Sequence, residues 1–290
     1  MGSSAIKSSA IDGIGQFKPV AICADDYGVN VQVDRAIVDL ANKHRLTASS
    51  VLVDAKIGQD SIDAVKPLDI DLGLHLNFTE ALGDLSASSV MPLPKLILQA
   101  HARMLSRDWV RASVERQLDR FESLFGRSPA YVDGHLHIHQ LPIIRDELLR
   151  ALGKRRLPEG FWLRDTRAGD LSGSPWSERF KSWVVGHLGM GTLSAHALRQ
   201  RMFVNHGFFG VYDFTSEHRP FMDMMSGWLS HARAGALVMV HPSREALLGD
   251  PVGHARVMEY RGLRSDEFAR LLDEEGVALT RPSQVLSSLP

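Results

Sequence analysis

Four apolar runs in this sequence end abruptly on residues that can hold a metal ion or move a proton. Val20–Ala24 runs into Asp25-Asp26, Leu72–Leu74 into His75-Leu76-Asn77, and Leu237–Val240 into His241-Pro242. Tyr131-Val132 runs into Asp133-Gly134-His135-Leu136-His137-Ile138-His139. Taken singly, Asp-Asp before Tyr-Gly is also ordinary turn and helix-capping chemistry, and an isolated His75 or His241 is more often a satisfied core or surface group. Asp133 to His139 is harder to explain that way. Its aspartate and three histidines alternate, so an extended backbone would put all four on one face. Four ionisable groups on one face are costly to bury unless a metal or fixed partners neutralise them. One aspartate and two histidines with open coordination positions are a familiar hydrolytic metal site. Arg164, at the end of Phe161–Leu163, can orient Asp25 or stabilise negative charge, and Asn77 can bind a carbonyl or end its strand. Asn205-His206-Gly207 is a weaker candidate for a substrate loop.

These groups need elements to bring them together. Apolar runs over 19–24, 48–53, 70–77, 130–133, 161–164, 236–240 and 277–280 read as strands buried on both faces. Helical spacing predicts helices after Asn30 and over 61–65, 114–125, 142–152, 221–232 and 265–273. Strands alternating with helices imply a parallel sheet covered by helices, and the number of units favours a closed or nearly closed barrel. In such folds the carboxyl ends of the strands converge on the site. Segments 81–108 and 165–190 are poorly periodic and rich in Gly, Pro and Ser, and read as inserted or lid loops within a single domain.

Composition excludes several classes. The 290 residues are 44% hydrophobic and 23% charged with a net charge of −1, which disfavours a nucleic-acid partner. The densest basic cluster, Lys154-Arg155-Arg156, falls at a predicted helix end, where cations complement the macrodipole. Cys23 is the single cysteine, so neither an internal disulfide nor a cysteine zinc site can form. Residues 1–16 are small and polar and read as a flexible segment before a domain over 17–290. No apolar run is long enough to span a bilayer, and the expectation is a cytoplasmic protein, with a homodimer compatible. No glycine-rich dinucleotide or P-loop motif follows a strand. His44, His101, His187, His196, His218, His231 and His254 sit in polar or helical contexts and read as surface groups.

Together, Ala24-Asp25-Asp26-Tyr27-Gly28, Gly73-Leu74-His75-Leu76-Asn77, Asp133 to Pro142 and Met239-Val240-His241-Pro242 resemble the signature blocks of the YdjC-like carbohydrate deacetylases. That family includes chitooligosaccharide deacetylases and a branch associated with hopanoid biosynthesis. The resemblance runs from about Lys18 to the C-terminus with its blocks in the same order. It implies an irregular (β/α) TIM-like barrel that hydrolyses the N-acetyl group of an amino sugar or glycoconjugate. By that likeness Asp26, His75 and His135 bind one divalent ion, Mg²⁺ or Zn²⁺, Asp25 is the general base and His241 the general acid. The choice among His135, His137 and His139 stays open, with His137 and His139 as supporting residues. Two other functions compete. A hydrolase of another ester or phosphoester is disfavoured because no Lys/Arg cluster adjoins the ligand blocks in sequence. A non-catalytic sugar-binding scaffold is disfavoured because both Asp25 and His241 are present.

Overall fold

The computed structural model describes residues 17–214 and 220–289. The 1–16 segment and His218 lie outside them. Among the described residues nine strands form one parallel sheet. They are β1 (Lys18–Tyr27), β2 (Ala48–Val51), β3 (Asp71–Leu76), β4 (Tyr131–Gly134), β5 (Trp162–Leu163), β6 (Phe203–Val204), β7 (Phe208–Phe209), β8 (Ala236–Val240) and β9 (Val277–Leu279). Their order is β6-β5-β4-β3-β2-β1-β8-β7, with β9 paired to the start of β1. The sheet curls into an irregular α/β TIM-like barrel in a single domain, and a bridge from Ala168 to Phe208 crosses its seam. Among the described residues no helix is long and apolar enough to cross a membrane.

The pleat explains which groups enter the barrel. Alternate side chains of a strand point to opposite faces. Ala21 and Cys23 of β1, Ala48 of β2, Tyr131 of β4, Trp162 of β5 and Leu237 and Met239 of β8 form one buried cluster inside the curl. Even-numbered Val20, Ile22 and Ala24 belong to the larger core beneath the helices. Continuing the inward series by two residues reaches Asp25, Ser50, Asp133, Arg164 and His241. On β3 the same face carries Gly73 and then His75. A Cβ on Gly73 would lie 2.4 Å from the Tyr131 ring, so the absent side chain is what lets Tyr131 stack on Trp162, with centroids 4.0 Å apart.

The helix bounds depart from the periodicity in both directions. The helix expected over 114–125 begins at Arg107, capped by Ser106 and ended by Gly126 in the left-handed region. The 81–108 segment holds a helix at Leu93–His101, and the 165–190 segment one at Trp176–His187, so neither is a plain loop. Both bury few large apolar residues, which is why the pattern hid them. The helix expected from Pro142 starts at Ile144, because Ile143 takes φ 70°. A further helix, Gly253–Arg264, lies in a stretch too charged to show helical apolar spacing.

Candidate active site

Asp25 and Asp26 are neighbours, so a regular strand would point them to opposite faces. Instead the β1–β2 register shifts between Ala24 and Tyr27, and Asp26 takes φ 71°. This turn brings both carboxylates to the same end of the barrel, each 2% exposed.

Asp26 Oδ1 lies 3.6 Å from His75 Nε2 and 3.3 Å from His135 Nδ1. The His75 and His135 rings meet edge-on with centroids 5.5 Å apart. The other ring nitrogen of His75, Nδ1, pairs with Asp133 Oδ1 at 2.6 Å, which aims Nε2 at Asp26. Asp26 Oδ2 accepts from Arg256 Nη2 at 2.7 Å, while Oδ1 is buried without a hydrogen-bond partner. An orphaned carboxylate oxygen beside two imidazole nitrogens is expensive unless a cation completes it. These three residues therefore form a possible metal site, each with one donor atom within 4.8 Å of the others. One carboxylate and two imidazoles suit Zn²⁺ or another transition ion by softness, whereas Mg²⁺ prefers a set richer in oxygen.

Asp25 is held differently. Arg164 donates through Nη1 to Oδ2 at 2.6 Å and through Nη2 to Oδ1 at 2.5 Å, and Nη2 also meets Asp133 Oδ2 at 2.5 Å. Burial alone would favour the protonated acid, but the guanidinium overrides it and holds Asp25 below the usual carboxylate range. Ser50 Oγ reaches Asp133 Oδ2 at 2.5 Å and Tyr131 Oη at 2.7 Å, tying the floor of the site to the barrel core. Burial pushes the Cys23 thiol up to about 12, so it packs here as a neutral group and not as a nucleophile. Asp25 Oδ2 stands 4.0 Å from Nε2 of both His75 and His241.

Burial disfavours protonation of His75, but the carboxylates of Asp133, Asp25 and Asp26 outweigh it and raise its pKa. His241 goes the other way. Burial lowers it to about 4 against the pull of Asp26 and Asp25. The His241 backbone N–H donates to Glu259 Oε2, whose Oε1 accepts from Tyr212 Oη at 2.6 Å. The Phe214 ring stands edge-on to His241 with centroids 5.3 Å apart.

The histidine-rich segment is not extended. Its strand ends at Gly134, and Leu136 and His137 take φ 53° and 60°, so the three histidines diverge rather than share a face. His135 turns to Asp26. His137 sets its ring edge-on to Phe208, and burial holds it neutral. His139 Nε2 bonds the Arg164 carbonyl at 3.0 Å, and burial lowers its pKa to about 4. The Asn77 side chain is used locally, accepting from the Thr79 and Glu80 amides and donating to the Glu80 carbonyl. Asn205 is likewise tied to Asp165, and the His206 amide bonds Gly235 just before β8, at the opposite end of the barrel from the site. The proposed substrate loop is thus a structural junction.

Sequence reading missed Arg256, Glu259 and Tyr212. The first two lie one turn apart on the Gly253–Arg264 helix, whose charged sequence distinguishes neither from a surface residue. The basic groups absent near the ligand blocks in sequence are present in space as Arg164 and Arg256, both engaged by carboxylates.

A family model described as YdjC-like protein matches residues 19–274. A Mus musculus protein named carbohydrate deacetylase is 30% identical over 217 residues, covering 63% of this chain and 69% of that one. An Enterobacter protein named chitooligosaccharide deacetylase is 30% identical over 138 residues, 44% of this chain and 52% of its own. The chain thus spans about half to two thirds of the length of the curated relatives it matches. A solved structure from Enterococcus faecalis V583, described as a cellobiose-phosphate cleavage protein, shares the fold with a TM-score of 0.65 at 16% identity. That match covers 92% of this chain and 98% of the other.

Proposed function

The chain belongs to the YdjC-like protein family, and on that premise we propose that it is a metal-dependent hydrolase removing an N-acetyl group from an amino sugar or glycoconjugate. The observation that carries this reading is the buried, unpaired Asp26 Oδ1 facing His75 and His135, with Asp25 and His241 alongside. The relatives named as carbohydrate and chitooligosaccharide deacetylases support the substrate class.

Asp26, His75 and His135 would hold one divalent ion, whose chemistry is to polarise an amide carbonyl and make nearby water more acidic. Asp133 fixes the His75 ring by its bond to Nδ1, and Arg256 fixes Asp26 by occupying Oδ2. Asp25, kept as a carboxylate by Arg164, accepts the proton of the attacking water through Oδ2. His241 is neutral in the free protein, so the proton it gives the leaving amine must be gained during turnover. Asp25 can relay it, since its Oδ2 faces His241 Nε2 across 4.0 Å. Arg164 and Arg256 are committed to Asp25 and Asp26, which leaves neither to bind a phosphoester.

Acetate release from N-acetylglucosamine, its oligomers and acetylated glycolipids, assayed before and after chelation, tests the reading. Release that stops on chelation and returns with one divalent ion is expected. No release from any of them with any ion would overturn it.

A further inference from the structure

His241 lacks the partner that usually orients a working histidine. A histidine that binds metal or moves protons is aimed by a bond at its other ring nitrogen, as Asp133 aims His75. His241 Nδ1 is buried without a hydrogen-bond partner, and Nε2 stands 4.0 Å from Asp25 Oδ2. Among the described residues no hydrogen bond therefore fixes the ring, and its place is left to the backbone and to packing. Both lead to Glu259, which is fully buried on the Gly253–Arg264 helix. Its Oε2 accepts from the His241 backbone N–H, immediately beyond the end of β8. Its Oε1 accepts from Tyr212 Oη at 2.6 Å. The Tyr212 ring packs on Phe214 with centroids 4.4 Å apart, and Phe214 stands edge-on to His241. One carboxyl group thus reaches His241 twice, through its amide and through the two rings beside its imidazole.

We propose that Glu259 is a positioning residue, which sets where the His241 imidazole stands relative to Asp25 without touching substrate or metal. Arg256, one turn away on the same helix, bonds Asp26. The helix therefore serves the metal side of the site through Arg256 and the acid side through Glu259, and the two effects are separable. Burial pushes the Glu259 carboxyl up to about 7, so glutamine is a close mimic of the form that it holds near neutrality. The placing of His241 rests on the contacts alone. Its consequence for turnover rests on the deacetylase reading.

Two variants of the full, zinc-loaded chain test the role. Glu259→Leu removes both acceptor oxygens, whereas Glu259→Gln keeps a carbonyl for the His241 amide and a polar group for Tyr212. In nuclear magnetic resonance the His241 amide of Glu259→Leu should exchange faster with solvent, and the His241 ring signals should shift. Glu259→Gln should keep both close to wild type. With an acetylated oligosaccharide, Glu259→Leu should lower kcat by about 10²-fold, the effect of misplacing a reacting group by about 1 Å. KM and zinc affinity should be kept, unlike in Arg256→Gln, and Glu259→Gln should restore most of the rate. Unmoved ring signals in Glu259→Leu would overturn the proposal, as would zinc affinity lost together with the rate or an equal loss in both variants. Should Glu259→Leu fail to fold, Tyr212→Phe cuts only the aromatic link and should still shift the ring signals; no shift there would overturn the proposal as well. Ring signals that respond as expected in a protein releasing no acetate would support the placing and refute only the deacetylase reading.

Discussion

Asp25 and Asp26 are chemically identical and adjacent, yet their surroundings separate them. Arg164 engages both oxygens of Asp25, whereas Arg256 takes one oxygen of Asp26 and leaves the other facing two histidines. Asp25→Asn is therefore expected to lower turnover by about 10²–10⁴-fold while metal content by elemental analysis is kept. Loss of the ion in that variant would exchange the roles of the two aspartates. His75→Ala should instead empty the site, since it removes a donor atom; undiminished metal would refute its role as a ligand. Arg256→Gln should weaken metal affinity by about 10–100-fold in a titration, the range for partners that orient a ligand. Unchanged affinity would reduce Arg256 to packing.

At the scale of elements, each inward-facing strand position carries a consequence for its neighbour. Gly73 on β3 makes room for the Tyr131 ring, and Tyr131 Oη bonds Ser50 beside Asp133. Gly73→Ala is expected to destabilise the fold by about 2 kcal/mol through overpacking, seen as a lowered melting temperature in circular dichroism. An unchanged melt would mean that Tyr131 shifts freely. Seven strands and their polar ends were legible because parallel strands are continuous apolar runs, which leaves the terminal charges conspicuous, whereas the two-residue β6 and β7 are too short to leave such a run. The turn after Gly134 was not, because alternation of Asp133, His135, His137 and His139 is compatible with a strand until left-handed Leu136 and His137 break it. The Gly253–Arg264 helix was equally hidden, since Arg256 and Glu259 become distinctive only once they meet Asp26 and the His241 amide.

For the whole molecule, burying neutral histidines couples stability to pH. His139 is fully buried and its pKa falls from the ordinary 6.5 to about 4. The unfolded chain then binds this proton more readily than the native one, so stability is full above pH 6.5 and declines as pH falls towards 4. The slope from this one group is about 1.4 kcal/mol per pH unit, measurable from urea midpoints at intervals across that window. A His139→Gln variant should lose that part of the slope, and an unchanged slope would refute the assignment. The sequence by itself determined the alternating fold class, seven of the strands and the polar residues at their ends, because burial on two faces and pleat alternation are local constraints. Only the tertiary structure decided how Asp26 turns beside Asp25, which histidine of the segment meets it, and that Arg256 completes its surroundings. Those outcomes depend on one left-handed residue, one irregular turn and a helix 230 positions away, and no local pattern in a chain encodes which distant groups its fold will bring into contact.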